Sequence, residues 1–547
     1  MTTETRELSR LSQGAASGLL KRFFGPALAI FCISSLCCLA IDYRLRSLAA
    51  DDSFIHLRIA RHLAQTGHAF FNIHERVMAT SSPVWTLALA LSSSLFGSLP
   101  ASLPLECLGM GFACMLSFLL AVQLRPSLQQ PTWLRYLYLL SLPALVFLSL
   151  LQSAISQMET PLAVALMLGG VYFFERSRIS WLAFFVLAAF TRYEYFPLGL
   201  CFFGIALVQR RITVKAAAIG FVTLGAAVCL LFLQYGTVIP NSVRAKAAGY
   251  IVPFEATLGS LGLGLGKPVI LARSVLLIIA VLAVVTGASA RRFATPSVLL
   301  LFGAGLDVLY VLKHTLIFAW YLPLSFVPIV IGLMLGLASS PKVWERSLAL
   351  ATVLLFAFMP LRVAIPELLA AAIGQPWRDS PDAFNIRVVE YRTVGRALEG
   401  SCPAGRLMTS EIGGLGDGFK GEILDGFGLA SPAAIKYHPM RVPEERSSAL
   451  LGAIPLGFVQ ETHPDVIVSY QSFAESVLKN FDPSMYVHYE YPGLPSEEMA
   501  QFKWTNSRLH ILAAKSGTCS PGSIDRAVSS SLLGISSAGS AATTRQP

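Results

Sequence analysis

Long stretches of this chain run without a single Asp, Glu, Lys or Arg, the clearest being 23–41, 77–105, 107–124, 136–158, 216–243, 274–290 and 315–341. The hydrocarbon core of a bilayer requires about 20 consecutive apolar residues of helix, so each of these is long enough to span or nearly so. Composition agrees, because 14% charged and 54% hydrophobic residues leave too few charges to clothe a soluble globule of 547 residues, which typically carries about 25%. Shorter apolar stretches at 160–174, 179–191, 195–209, 293–306 and 347–361 read as short, tilted or charge-interrupted helices, giving about 11 to 13 spans in all.

Basic residues concentrate on the cytoplasmic side of spanning helices. Lys21 and Arg22 therefore place the N-terminal segment 1–22 inside, and Arg210, Arg211, Arg291, Arg292, Lys342 and Arg346 fall on the same side. The chain beyond Ile365 is then outside. Glu175, Arg176 and Arg178 also look cytoplasmic, yet simple alternation puts them outside if 181–208 is one helix. Either 84–97 lies in the interface without crossing, or 181–208 is one kinked helix and the Arg176 region departs from the rule. The first apolar run lacks a small-residue cleavage site and is followed by many more spans, so it reads as an anchor rather than a secretory signal.

The expected organisation is a polytopic α-helical membrane domain over 23–372, with a first exterior loop at 43–82, followed by a small exterior α/β domain over 373–519. Beyond 373, charges, Pro and Gly become frequent, and the roughly 145 residues that follow are enough for one small domain. Segments 465–470 and 508–514 read as strands and 444–453 as a helix. The tail 520–547, dominated by Ser, Ala, Gly and Thr, is expected to be disordered. Seven cysteines lie in apolar segments, where a thiol acts as a small hydrophobe. Cys402 and Cys519 lie near the two ends of the exterior domain, in a compartment that permits disulfides, and are expected to pair.

The chemistry starts after the first apolar run, with Asp51 and Asp52 at the head of a helical segment 53–65. At 100° per residue Arg58, Arg61, His62 and Gln65 share one face, while Ile55, Ile59, Ala60, Leu63 and Ala64 spread over the other, as in a helix lying in the headgroup plane. His56 departs from the pattern. The two carboxylates either cap the helix and complement its dipole or supply a general base that activates a hydroxyl beside basic residues able to stabilise a phosphate leaving group.

The run Asp51-Asp52-Ser53-Phe54-Ile55-His56-Leu57-Arg58-Ile59-Ala60-Arg61, followed by Gly67-His68, Phe71-Asn72, Glu75-Arg76-Val77 and Ser82-Pro83-Val84-Trp85-Thr86, resembles the first exterior loop of GT-C glycosyltransferases. Within that superfamily the chain resembles the mycobacterial terminal β-arabinofuranosyltransferases and related bacterial membrane proteins. Gln157-Met158-Glu159-Thr160-Pro161, Thr191-Arg192-Tyr193-Glu194 and the segment from Tyr235-Gly236 through Pro240-Asn241-Ser242 to Lys246 resemble further landmarks of the family in the same order. So do Glu411 to Gly416 and Ile423 to Leu429 in the exterior domain, where strand-to-strand turns are expected because the glycine spacing is not that of a dinucleotide fingerprint. Where the family carries a His-Asp-Trp-Met type segment, this chain has Lys313-His314-Thr315 and then Ala319-Trp320-Tyr321, so the resemblance does not carry the identity of the sugar.

The resemblance implies a membrane enzyme that moves a sugar from a polyprenyl-phosphate carrier to a cell-envelope glycan, lipid or protein, with inversion, at the outer face of a bacterial inner membrane. It implies Asp51 or Asp52 as the base, and Arg58, Glu159, Arg192, Glu194, Asn241, Arg244, Lys246, Lys313, His314 and Tyr321 as substrate-binding groups. For Glu159 the alternative is a helix N-terminal acid, for Arg192 and Glu194 a mutual structural pair, and for the lysines interfacial snorkelling. A divalent cation is compatible with the carboxylates, and no other cofactor is implied. The net charge of +10 reflects membrane topology and anionic lipid rather than nucleic acid. The rival class is a transporter or flippase of lipid-linked sugar, which often shows inverted repeats; none is visible in the sequence.

Overall fold

The computed structural model describes residues 3–45, 49–96, 101–123, 132–249, 252, 254–261, 294–339, 385–440, 454–491 and 508–543, with isolated positions at 278, 360–361, 364–365, 368–369 and 371–372. Apart from isolated positions, the expected spans at 274–290 and 347–361 and the expected helix at 444–453 lie outside these. The protein is a helical membrane domain carrying a small mixed sheet in its C-terminal region. Among the described residues, five helices are long and apolar enough to cross a membrane: Phe23–Leu45, Ser102–Gln123, Ala217–Tyr235, Thr295–Leu312 and Ala319–Gly336. Five shorter apolar helices accompany them: Pro83–Phe96, Leu139–Ile155, Thr160–Glu175, Trp181–Thr191 and Tyr193–Val208.

Helix α1 (Thr3–Leu45) leads into α2 (Asp51–Thr66) and α3 (Pro83–Phe96), and then α4 (Ser102–Gln123) returns antiparallel to α1. Phe23 packs on Phe118, Phe31 on Phe112, and Ser35 Oγ donates to the Cys107 carbonyl at 2.9 Å. Helix α3 does not cross. Ser82 at its head touches Glu159, while Ser102, just after the chain has returned from it, donates to Gln157 Oε1. Both ends of the excursion therefore sit at one level.

Helices α5 (Thr132–Ile155) and α6 (Thr160–Glu175) follow, then α7 (Trp181–Thr191) and α8 (Phe196–Val208). Neither reading of 181–208 as one helix, straight or kinked, holds. The chain reverses at Arg192–Tyr195, so that Phe185 of α7 stacks on Phe202 of α8 at 4.8 Å, and Arg211 beyond α8 donates to the carbonyl of Phe174 at the end of α6. The non-crossing α3 and this hairpin together put Arg176, Arg178, Arg210 and Arg211 at one end of the bundle, which removes the conflict in the charge map. Helix α9 (Val214–Tyr235) then leads to the short α10 (Asn241–Gly249) and α11 (Phe254–Leu261). Helices α12 (Ala294–Leu312) and α13 (Leu322–Ser339) cross closely because Gly303 lies against the Ser325 carbonyl and Gly332 against that of Pro296, the small-residue contact expected between membrane helices.

In the C-terminal region α14 (Ile386–Ser401) precedes β1 (Leu407–Thr409), α15 (Ile412–Gly418) and β2 (Ile423–Asp425). Helix α16 (Leu456–Thr462), β3 (Val466–Tyr470), α17 (Gln471–Lys479), β4 (Tyr486–Tyr491) and β5 (Leu509–Ala514) complete a sheet of order β2-β1-β3-β5-β4. β1 runs parallel to β2 and β3, whereas β5 is antiparallel to β3 and β4. One face of the sheet buries Leu407, Val466, Val468, Leu509 and Ile511 together with Ile55 and Ile59 of α2, and the other buries Met408, Ile467 and Leu512.

Two expectations for this region do not hold. The tail beyond 520 is not devoid of structure, since Pro521–Thr543 forms helix α18, with Ile524 and Val528 fully buried and Leu532 packed behind them. Its small residues hide an apolar stripe at four-residue spacing, which suffices for one buried face. The Cys402–Cys519 disulfide ties the end of α14 to the start of this helix. The segment Glu411 to Gly416 is likewise not a strand turn: its glycines build α15.

Candidate functional site

Helix α2 is the centre of the site, and it is not a surface helix on lipid. Its Phe54, Leu57 and Ala60 pack on Trp85 and Leu89 of α3, while Ile55 and Ile59 face the sheet region. Arg58, expected to face water and a substrate phosphate, is buried: Nε donates to the Phe71 carbonyl at 2.9 Å, Nη1 to those of Gly416 and Phe419, and Nη2 to that of Gly421. Its donors are committed to carbonyls, so it clamps the C-terminal region onto α2 instead of binding substrate. Asn241 is a second clamp, donating from Nδ2 to the carbonyls of Gly428 (2.6 Å) and Leu429 (2.9 Å).

The neighbouring carboxylates differ in the same way. Asp51 accepts the backbone N–H groups of Gly413 at 3.0 Å and Gly414 at 2.7 Å, the first turn of α15. Burial, and then the nearby Glu411 carboxylate, push its carboxyl up to about 7 despite those two amides. Asp52 turns the other way, and Lys246 Nζ lies 3.1 Å from its Oδ2, both side chains one-quarter exposed.

One turn along α2, His56 reaches towards Glu159, Nε2 to Oε2 being 3.9 Å, while its Nδ1 meets Thr80 Oγ1 at 3.1 Å. Burial lowers its affinity for a proton. Glu159 precedes α6 without capping it. Its Oε1 instead accepts from Ser82 Oγ at 3.0 Å and from Arg192 Nη1 at 2.6 Å. Arg192 extends the chain to Glu194 at 2.7 Å, with its guanidinium 4.4 Å over the ring of Tyr321. The α7–α8 reversal is what brings Arg192 and Glu194 to the level of Glu159.

Beside this network opens a cavity of about 770 Å³. Its polar end carries Lys246, Ser242, Arg192, Glu194, Tyr310 and Tyr321, and its remaining wall is apolar, from Pro197 and Cys201 of α8 to Val298, Leu301, Phe302 and Leu306 of α12. The hydroxyls of Tyr193, Tyr310 and Ser242 in its lining have no hydrogen-bond partner among the described residues, an arrangement that a polar ligand would complete. Arg244 and Lys313 are exposed and are not among its walls, and His314 Nδ1 donates to the Val252 carbonyl at 3.0 Å.

No family model matches this sequence, and no curated protein matches it. Among solved structures the chain is similar to the crystal structure of ArnT from Cupriavidus metallidurans bound to undecaprenyl phosphate, at 13% identity and a TM-score of 0.46, over 89% of this chain and 98% of that one.

Of the residues singled out in the sequence, Asp52, Glu159, Arg192, Glu194, Lys246 and Tyr321 converge on the cavity or the network beside it. Arg58, Asn241 and Asp51 hold the contact with the C-terminal region, and Arg244, Lys313 and His314 lie apart. Ser82, Tyr193 and Ser242 stand inside the quoted motifs without an assigned role, and Thr80 and Tyr310 stand outside them. His56 had a signal, being the polar residue out of register on the apolar side of α2. Tyr310 had none, since an aromatic at a helix end reads equally well as membrane anchoring. Chemically, the site offers a carboxylate beside an ammonium group at the head of an amphipathic cavity, with a buried acid–guanidinium–acid chain at its side.

Proposed function

We propose that the protein is a membrane glycosyltransferase that takes a sugar from a polyprenyl-phosphate carrier and transfers it, with inversion, to a hydroxyl of a cell-envelope acceptor. The observation that carries this reading is the form of the cavity: an apolar groove between α8 and α12 ends at Lys246, which pairs with Asp52. An isoprenoid chain would lie in the groove and remain continuous with the bilayer, while its phosphate meets Lys246 and its sugar lies towards Tyr310, Tyr321 and Glu194. The motif order in the sequence supports the same class.

Asp52 is the base in this proposal, because both oxygens of Asp51 already accept backbone amides. Phosphate drawing Lys246 to itself would free Asp52 to take the acceptor's proton. The acceptor oxygen then forms its bond to the anomeric carbon as the bond from that carbon to the phosphate oxygen breaks, and the departing electron pair stays on the phosphate. Lys246 stabilises that charge where it develops. Glu159 and Arg192, mutually paired, position the wall of the sugar site. The C-terminal region would face the periplasm at the inner membrane, as the basic helix ends suggest.

Sugar transfer from polyprenyl-phosphate donors in membranes tests this with Asp52→Asn and Asp51→Asn at matched expression. Loss of a positioned general base costs about 10²–10⁴-fold in rate, and that loss is expected for Asp52→Asn. Asp51→Asn should retain transfer in proportion to the folded protein. Undiminished transfer in Asp52→Asn sinks the base assignment.

A further inference from the structure

The far side of the sheet carries a cluster that the transfer chemistry does not use. Side chains alternate between faces along a strand, so His510 of β5 shares a face with Leu512, the face turned away from Ile55 and Ile59 of α2. β4 pairs antiparallel with β5, with Glu490 directly opposite His510 and His488 opposite Leu512. His488, Glu490 and His510 therefore stand together on one face of the outermost strand pair. His488 Nε2 and His510 Nδ1 are 2.9 Å apart, and the potential ligand atoms of all three residues lie within 4.8 Å of one another.

We propose that His488, Glu490 and His510 form a binding site for a divalent transition-metal ion of the zinc class, using His488 Nε2, His510 Nδ1 and one Glu490 oxygen, with the remaining coordination position open to solvent. Two imidazoles and a carboxylate are the donors that zinc favours over calcium or magnesium. Ligand atoms about 2.1 Å from a tetrahedral ion stand roughly 3.4 Å apart, so the two nitrogens already face each other at nearly the required separation. Glu490 has only to turn inward from the exposed side chain of Arg508, with which it pairs, and an exposed pair of that kind holds little. His510 is 5% exposed while the other two face solvent, so one ligand is fixed in the sheet and the two on β4 supply the adjustment. A bound ion would bridge edge strand β4 to β5 on the face remote from the cavity. The assignment does not depend on the transferase reading.

The full-length protein in detergent, stripped with a chelator, would be titrated with Co²⁺ while its visible absorption is followed, then back-titrated with Zn²⁺. One equivalent of Co²⁺ with a ligand-field band, displaced by Zn²⁺, is expected for the wild type. His488→Ala removes an exposed ligand without touching the core, and Glu490→Gln removes the third; each should weaken binding by at least about 100-fold and abolish the rise in thermal midpoint that Zn²⁺ gives the wild type. Absence of a stoichiometric band in the wild type overturns the proposal, as does an unchanged titration in His488→Ala.

Discussion

Arg58 and Arg61 lie three residues apart on α2 and have different tasks. Arg58 gives its donors to four backbone carbonyls in a buried setting, whereas the side chain of Arg61 is 47% exposed and shares Asp417 with Arg392. Removing Arg58 leaves buried carbonyls without their donors, at about 1–3 kcal/mol for each group left unsatisfied, while an exposed pair contributes about 0–1 kcal/mol. Arg58→Met should therefore lower the thermal midpoint in detergent far more than Arg61→Met, and equal shifts would contradict the clamp. Asp51 predicts a pH dependence. Its carboxyl is raised from 3.8 to about 7, so the folded protein holds the proton more tightly than the unfolded chain does. The resulting stability is complete below the unfolded value and is lost as pH rises through about 7. Asp425, raised to about 6 by burial, adds a slope of the same sign. The midpoint of the wild type should fall between about pH 5 and pH 8, and Asp51→Asn should show a shallower fall; an identical slope in the variant would remove Asp51 as its source. Residue types were legible in the sequence, but their partners were not. Adjacent Asp51 and Asp52 look equivalent until the chain that folds back from residue 413 selects one of them.

Elements that meet only in three dimensions account for most of what the sequence concealed. A Cβ at Gly413 would fall 1.8 Å from the carbonyl oxygen of Asp51, and one at Gly414 would fall 2.8 Å from Val388. The glycines that suggested a turn are thus the condition for α2 and α15 to touch. Overpacking of this kind costs about 1–3 kcal/mol. Gly413→Ala should separate the two helices, visible as faster proteolysis of the C-terminal region and reduced transfer, whereas Gly400→Ala, where a Cβ meets nothing within 4 Å, should leave both unchanged. Protease resistance retained in Gly413→Ala would mean that the contact is not tight. The spans were legible because apolar length is a local property, and β3 and β5 because their short apolar runs are bounded by turn residues. The α7–α8 hairpin was legible only in part: Arg192 and Glu194 divide 181–208 into two apolar runs, but a break that short fits one kinked helix as well as a reversal.

At the scale of the whole molecule, the position of the site follows from which helices stop short. A fully spanning α3 would carry Ser82 and Ser102 to opposite ends of the bundle, yet they contact Glu159 and Gln157, two residues apart. With α3 along one surface and α7 and α8 turning at Arg192, the carboxylates of Asp52, Glu159 and Glu194 all arrive at the end covered by the sheet. The arginines at 176, 178, 210 and 211 gather at the other. Charge counting alone could not choose between its two remedies, because each was framed as repairing the map singly and the fold uses a non-crossing helix together with a hairpin. This arrangement fixes what a membrane-impermeant thiol reagent should find in a background depleted of native cysteines. Phe96→Cys at the end of α3, which is 46% exposed, should react from the same side as His68→Cys after α2. Arg211→Cys should react only from the opposite side. If Phe96→Cys instead sorted with Arg211→Cys, α3 would be a spanning helix, Ser82 would leave Glu159, and the cluster beside the cavity would have to be assembled from other residues.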